Sequence, residues 1–241
     1  MESVLITGAA RRVGGMIAED LAASGFFVWV HYRSHENDAF ELCRKIREQG
    51  GQAAPIQADL TDMAQIDGML ENIRTSEAAE LTTLINNASV ILKGTLGETS
   101  ADDWDRLMDT NLKAIWYLST RFAGSFPSAK RVISIGDAST AQGFAGHAVY
   151  GLSKHALKYL TEQMAVEYAP RVRVNLLSPG LVLQGEKEPD KVWNSRVSRT
   201  LADNSGITGS VLAGIRFLMS DPGLNGSELM IDNGLHLYRK S

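Results

Sequence analysis

With 241 residues, 44% of them hydrophobic and 22% charged, the chain is long enough to bury one sizeable core. A formal net charge of -4 leaves no basic stripe for nucleic acid, and no apolar run approaches the roughly 18 residues of a membrane span. The single Cys43 excludes an internal disulfide and the five histidines show no metal-ligand spacing, so no metal is expected and a reducing, cytoplasmic location is.

Residues 4–6 read as a short buried strand that runs into Thr7-Gly8-Ala9-Ala10-Arg11-Arg12-Val13-Gly14-Gly15. A helical pattern through Ile17, Leu21 and Ala22 follows and stops at Ser24-Gly25. A helix that opens from a glycine turn has unpaired N–H groups at the positive end of its dipole, which attract a dinucleotide diphosphate. Gly8, Arg11, Arg12, Val13 and Gly14 are therefore candidate cofactor contacts. Only Gly8 and Gly14 hold outer positions of the dinucleotide fingerprint, with Arg12 at a middle one, so a plain glycine-containing turn is the alternative. Residues 26–32 form a second strand, ending in His31-Tyr32-Arg33-Ser34. An acidic residue here would bind the ribose hydroxyls of NAD, whereas an arginine accommodates a 2′-phosphate. The missing carboxylate and the presence of Arg33, helped by Arg11, point to NADP(H); a solvated arginine at a strand end is the alternative.

A helical pattern over 38–49 closes at Gly50-Gly51, and residues 53–58 read as a third strand leading to Asp59-Leu60-Thr61-Asp62. Asp59 either accepts from an adenine amino group or belongs to the capping of the next helix. A fourth strand over 81–85 ends in Asn86-Asn87-Ala88-Ser89, a small polar turn at a strand carboxyl end, where ligands of α/β proteins bind. A long helix over 102–126 carries Asn111 inside its apolar face, which requires either structural hydrogen bonds or a functional water. A fifth strand over 131–135 precedes Gly136-Asp137-Ala138-Ser139 and a glycine-rich loop to His147.

The next helical pattern runs to about Tyr168. Its i,i+4 spacing puts the phenol of Tyr150 and the ammonium of Lys154 on one face, where the cation favours the phenolate. Tyr150 is then expected to titrate below the ~10 of a free tyrosine and to act as a general acid, the alternative being a half-buried tyrosine beside a solvated lysine. Residues 172–177 supply a sixth strand before Ser178-Pro179-Gly180, and 229–231 a seventh. The stretch 184–204 is polar and proline-broken, with Trp193 its one large apolar residue; it reads as a substrate-covering lid or a tolerated surface insertion. Short apolar strands alternating with helices predict a single α/β domain, a parallel sheet wound on both sides.

The glycine turn at residues 7–14, Asn86-Asn87-Ala88, Asn111, Tyr150-x-x-x-Lys154 and Pro179-Gly180 together resemble the short-chain dehydrogenase/reductase family over nearly the whole chain. The resemblance implies a Rossmann-type domain with seven parallel strands in the order 3-2-1-4-5-6-7. It makes Tyr150 the acid/base and puts Lys154 on the nicotinamide ribose, with Asn111 holding a water that links Lys154 to solvent. Asp59 and Asn87 would contact the adenosine half of the cofactor, and Leu60, Ala88, Ser89, Pro179 and Gly180 complete the candidate contacts. It also implies a homo-oligomer, a tetramer, built on the helices from Asp102 and from Tyr150.

Three departures mark a branch. Asp137 stands where the family usually has a catalytic serine, Arg12 replaces a turn glycine, and Leu181-Val182-Leu183 lacks the usual threonine. With Asn87-Ala88-Ser89, His31-Tyr32-Arg33-Ser34 and Val192-Trp193, these are similar to the pteridine reductases. That branch implies reduction of a dihydropterin or dihydrofolate C=N bond by NADPH, with the proton supplied through Tyr150 and Asp137; whether Asp137 donates or only orients Tyr150 stays open. Arg12, Ile91 and Trp193 would meet the substrate, and Arg239 either reaches a neighbouring subunit's site or is a frayed terminus. Val90-Ile91-Leu92 stands where the branch often has a stacking aromatic, which leaves only an aliphatic wall for a flat ring. A ketone reductase and a non-catalytic NADP(H)-binding sensor are the rival functions.

Overall fold

A computed structural model describes residues 1–141, 146–203 and 205–238. Seven strands are present among them: β1 (Glu2–Ile6), β2 (Phe27–Tyr32), β3 (Gln52–Gln57), β4 (Glu80–Asn86), β5 (Arg131–Ile135), β6 (Arg173–Pro179) and β7 (Glu228–Ile231). They form one sheet in the order β3-β2-β1-β4-β5-β6-β7, every pairing parallel, as the family resemblance implies. Arg239 lies outside the described residues, as do 142–145 and position 204.

Strand side chains alternate between the two faces, and both faces are covered. Val4, Ile6, Val28 and Val30 enter one apolar cluster. It is closed by α1 (Arg12–Ala23), α2 (Glu36–Glu48) and α8 (Ile207–Ser220) through residues such as Ile17, Ile46 and Ile215. Leu5, Trp29, Leu84 and Val132 enter the other, closed by α3 (Met63–Thr75), α5 (Ala114–Ser125) and α6 (Ala148–Glu167) through Met69, Phe122 and Met164. Burial on both sides explains why the strands read as continuous apolar runs.

Four features depart from the sequence pattern. The helix expected over 102–126 is α4 (Ala101–Met108), a π-helical turn at Asp109–Lys113 with Asn111 at its centre, and then α5. β6 extends to Pro179 because Ser178 and Pro179 pair with Met230 and Ile231. The expected lid contains α7 (Asp190–Val197), none of whose residues is buried. α8 fills an interval for which the pattern names no element. Between β1 and its two neighbours, β2 and β4, the crossovers go to opposite faces, and this switch point opens a crevice at the strand carboxyl ends.

Candidate active site

The crevice is built on the turn after β1. Gly8 is left-handed, with φ +60, and Arg12, although not glycine, also has positive φ at 56. A Cβ at Gly14 would sit 2.5 Å from both Asn87 Nδ2 and the Gly8 carbonyl, so only glycine lets α1 start this close to the β4 turn. Asn87 Nδ2 donates to the carbonyls of Thr7 and Gly8 at 2.8 and 3.0 Å. Thr7 Oγ1 accepts from the amides of Asn87 and Ala88 at 2.9 and 3.0 Å. Thr7, the first residue of the glycine turn, is thus its pin.

His31 is a second brace. Its Nδ1 accepts from the Gly8 amide at 3.0 Å, so the proton sits on Nε2, which donates to Ala58 O at 3.1 Å. Burial pushes its pKa down to about 4 and keeps the ring neutral, the Ala58 hydrogen bond and nearby Asp59 opposing. His31 and Asn87 line the crevice as expected of cofactor contacts, yet their polar atoms are engaged in holding the turn.

The crevice, about 420 Å³, is lined by Gly8, Arg11, Arg12, Val13, Gly14, His31, Tyr32, Arg33, Ser34, Asp59, Leu60, Asn87, Ala88 and Ser89, all expected cofactor contacts. Pro179 and Gly180 lie elsewhere. Gly180 donates to Ile231 O at 2.8 Å, and a Cβ on it would strike Asp232, so this pair joins β6 to the end of β7. The N-terminus of α1 has no side-chain cap and no acid in its first turn, which leaves its N–H groups open to an anion. Arg11 reaches His35 at 3.0 Å and Arg33 lies 4.0 Å from Asp59. Asp59 Oδ1 accepts from Thr61, while Asp62 caps α3, so the alternative of Asp59 as the helix cap is corrected. Thr110, unmarked in the sequence, also lines the crevice with a buried hydroxyl that has no hydrogen-bond partner among the described residues. Glycine approach, uncapped helix, two arginines and an unpartnered hydroxyl together fit a dinucleotide bearing an extra phosphate.

Tyr150, Asp137 and Lys154 do not line that crevice; they lie beyond Val90, which lines it and packs against the cluster that holds Tyr150. Tyr150 Oη donates to Asp137 Oδ2 at 2.6 Å, and Asp137 Oδ1 is held by the amide and hydroxyl of Ser139. Lys154 Nζ lies 6.0 Å from the Tyr150 ring centroid and donates to Ile135 O at 2.8 Å. The structure therefore brings Tyr150, Asp137 and Lys154 together. It corrects the expected sign of the tyrosine shift. Burial first, then the charge of Asp137 and its hydrogen bond, hold the phenol pKa well above that of a free tyrosine. Burial lowers Lys154 to about 8, with Asp137 opposing.

Asn111 resolves in favour of structural hydrogen bonds. Oδ1 accepts from Ser89 Oγ and Val90 N at 3.0 and 2.9 Å, and Nδ2 donates to Val90 O and Ser153 Oγ at 2.8 and 3.2 Å. An amide has only these four places, so a water at Asn111 has to meet its main chain. Ser153, buried and also bonded to Tyr150 O at 2.7 Å, ties this brace to α6. Ile91, expected to meet the substrate, is 55% exposed, while Val90 and Leu92 pack against Leu107 and Tyr150. Arg12 donates to Gln184 O at 3.0 Å and so fastens the start of the 184–204 segment to the glycine turn; Trp193 is half-buried on α7.

A family model described as short chain dehydrogenase matches residues 2–191. The 3-oxoacyl-[acyl-carrier-protein] reductase FabG of Salmonella typhimurium is 30% identical, covering 97% of this chain and 96% of its own. Among solved structures, the FolM alternative dihydrofolate reductase 1 of Brucella canis, complexed with NADP, aligns with TM-score 0.88 and 28% identity over 99% of this chain and 96% of its own. The angucycline C-6 ketoreductase LanV with bound NADP aligns with TM-score 0.89 and 26% identity over 98% and 96%. A glycine turn on β1, a Tyr150-x-x-x-Lys154 helix and these full-length matches lead to one conclusion: the chain belongs to the short-chain dehydrogenase/reductase family of oxidoreductases.

Proposed function

We propose that this chain is an NADPH-dependent reductase of a dihydropterin or dihydrofolate ring C=N bond. The observation that carries the reading is the 2.6 Å hydrogen bond from Tyr150 to Asp137, a carboxyl group where the family usually has a hydroxyl. Likeness to a dihydrofolate reductase solved with NADP supports it. Bound NADPH supplies a hydride. The glycine turn, α1 and Thr110 hold its diphosphate half, and Arg11 and Arg33 take the 2′-phosphate. Lys154 holds the ribose next to the reactive ring. Tyr150 delivers the proton to the substrate nitrogen, and a proton taken up from water restores the phenol through Asp137 or Lys154.

The aliphatic surface of Val90 and Leu92, together with the likeness to a ketoreductase, supports a second reading, reduction of a ketone. Turnover of dihydrobiopterin, dihydrofolate and a ketone panel with NADPH and with NADH separates the two. Ketone turnover alone removes the pterin reading, and NADPH binding without any turnover removes both in favour of a sensor.

The assembly we propose is a cytoplasmic homotetramer. Trp104 on α4, Trp116 on α5, and Tyr159 and Val166 on α6 are exposed, Val166 at 76%, on the helices from which the family resemblance builds subunit contacts. Among the described residues no helix is long and apolar enough to cross a membrane.

A further inference from the structure

Every reduction of a C=N or C=O bond takes one proton from water in addition to the hydride, and Tyr150 and Lys154, which would handle it, are buried. A second cavity, about 180 Å³ and distinct from the cofactor crevice, begins at Asp137 and Lys154 and ends at His155 and Lys158, both exposed residues on α6. Along it, Ser178 Oγ, 1% exposed, donates to Glu228 Oε1 at 2.6 Å, and Lys158 Nζ lies 2.9 Å from Glu228 Oε2. His155 Nδ1 donates to Thr140 O at 3.1 Å. Gly136, the neighbour of Asp137, makes room for Ser178: a Cβ on it would lie 2.3 Å from Ser178 Oγ. A polar cavity of this size has room for several waters with partners on every side.

We propose that this cavity is a further proton entry route of the enzyme, beside the Asn111 water that the family resemblance implies, and that Glu228, steadied by Ser178 and Lys158, is the group that passes protons from bulk water to it. The inference rests on Tyr150, Asp137 and Lys154 handling the reaction proton, but not on which ring or ketone is reduced. In each turnover the substrate carbon gains a hydride, the Tyr150 O–H bond breaks, and its proton goes to the substrate nitrogen or oxygen. Asp137 or Lys154 returns a proton to the phenolate, a cavity water replaces that one, and Glu228 replaces the last from solvent. The charged and titratable groups facing Glu228 are Lys158 and His155 from α6, Asp137 and Lys154 at the inner end, and Glu162, which acts on it through Lys158.

The test compares Glu228→Gln, Ser178→Ala and Tyr150→Phe with wild type on the panel substrate that wild type turns over. For Glu228→Gln we expect kcat to fall by roughly tenfold, less than the ~10²-fold or more that losing the donor itself costs. KM and NADPH affinity stay unchanged, the deficit deepens as pH rises, the solvent isotope effect on kcat grows, and added imidazole buffer restores the rate. Ser178→Ala shows the same pattern more weakly. A Glu228→Gln enzyme with wild-type kcat and pH profile, or a slow one that buffer does not restore, overturns the route while an inactive Tyr150→Phe keeps the site reading intact. An active Tyr150→Phe, or a wild type silent across the panel, overturns both.

Discussion

Acid should loosen the cofactor turn through His31, and the effect has a size. In the folded chain the ring titrates at about 4, against 6.5 as the ordinary value. The folded pKa is depressed, so the unfolded chain binds the extra proton in that window and stability falls as pH falls. The contribution is whole above about pH 6.5 and is lost as pH drops through about 4. At 1.36 kcal/mol per unit, a drop from about pH 7 to 4.5 removes about 2 kcal/mol. Protonation would also put an N–H on Nδ1, opposite the Gly8 N–H that it now accepts at 3.0 Å. His31→Asn, whose side-chain oxygen can still accept from Gly8, abolishes the titration without removing the brace. Urea unfolding of both proteins across that range, with NADPH titrations alongside, is the assay. We expect wild type to lose about 2 kcal/mol more than His31→Asn and its NADPH affinity to weaken in the same window. Parallel stability curves for the two proteins would refute the assignment of His31 as a neutral brace.

Arg33→Ala should weaken NADPH binding by roughly ten- to a hundredfold, the ~1.5–3 kcal/mol of a hydrogen bond to a charged group, while NADH binding stays unchanged in calorimetry. Gly14→Ala, whose Cβ would lie 2.5 Å from Asn87 Nδ2 and the Gly8 carbonyl, should cost about 1–3 kcal/mol in thermal unfolding and weaken NADPH binding together. Asp137→Ser removes a charge that raises the phenol, so phenolate absorbance from Tyr150, read by difference against Tyr150→Phe, should appear at lower pH than in wild type.

The fold was readable because both faces of the sheet are covered: Val4, Leu5 and Ile6 are all buried, and a run of apolar residues between glycine turns is what such a strand looks like. The Tyr150 and Lys154 pair was readable because i,i+4 spacing fixes a helix face. Other parts had no sequence signal. A π-helical turn over Asp109–Lys113 changes the period too briefly to alter the apolar pattern. Side-chain direction in an irregular loop follows no period, so Val90 and Leu92, rather than Ile91, turned inward. A histidine at a strand end looks the same whether it meets a ligand or, like His31, a glycine amide. Arg12 stands where the family has a turn glycine, and it takes the positive φ that a glycine there would adopt.

The sign of the tyrosine shift was hidden for a deeper reason. Helical spacing reports only the neighbour on the same helix, Lys154, whereas the shift is set first by burial and then by Asp137, which comes from another element. Coulomb energy falls with distance, and the Asp137 oxygen at 2.6 Å from the phenol outweighs an ammonium 6.0 Å from the ring centre that is already bonded to Ile135 O. Exchanging a hydroxyl for a carboxyl group at position 137 therefore does more than alter a hydrogen-bond partner. The phenol no longer gives up its proton on the lysine's account alone; burial and the charge of Asp137 both hold that proton in place.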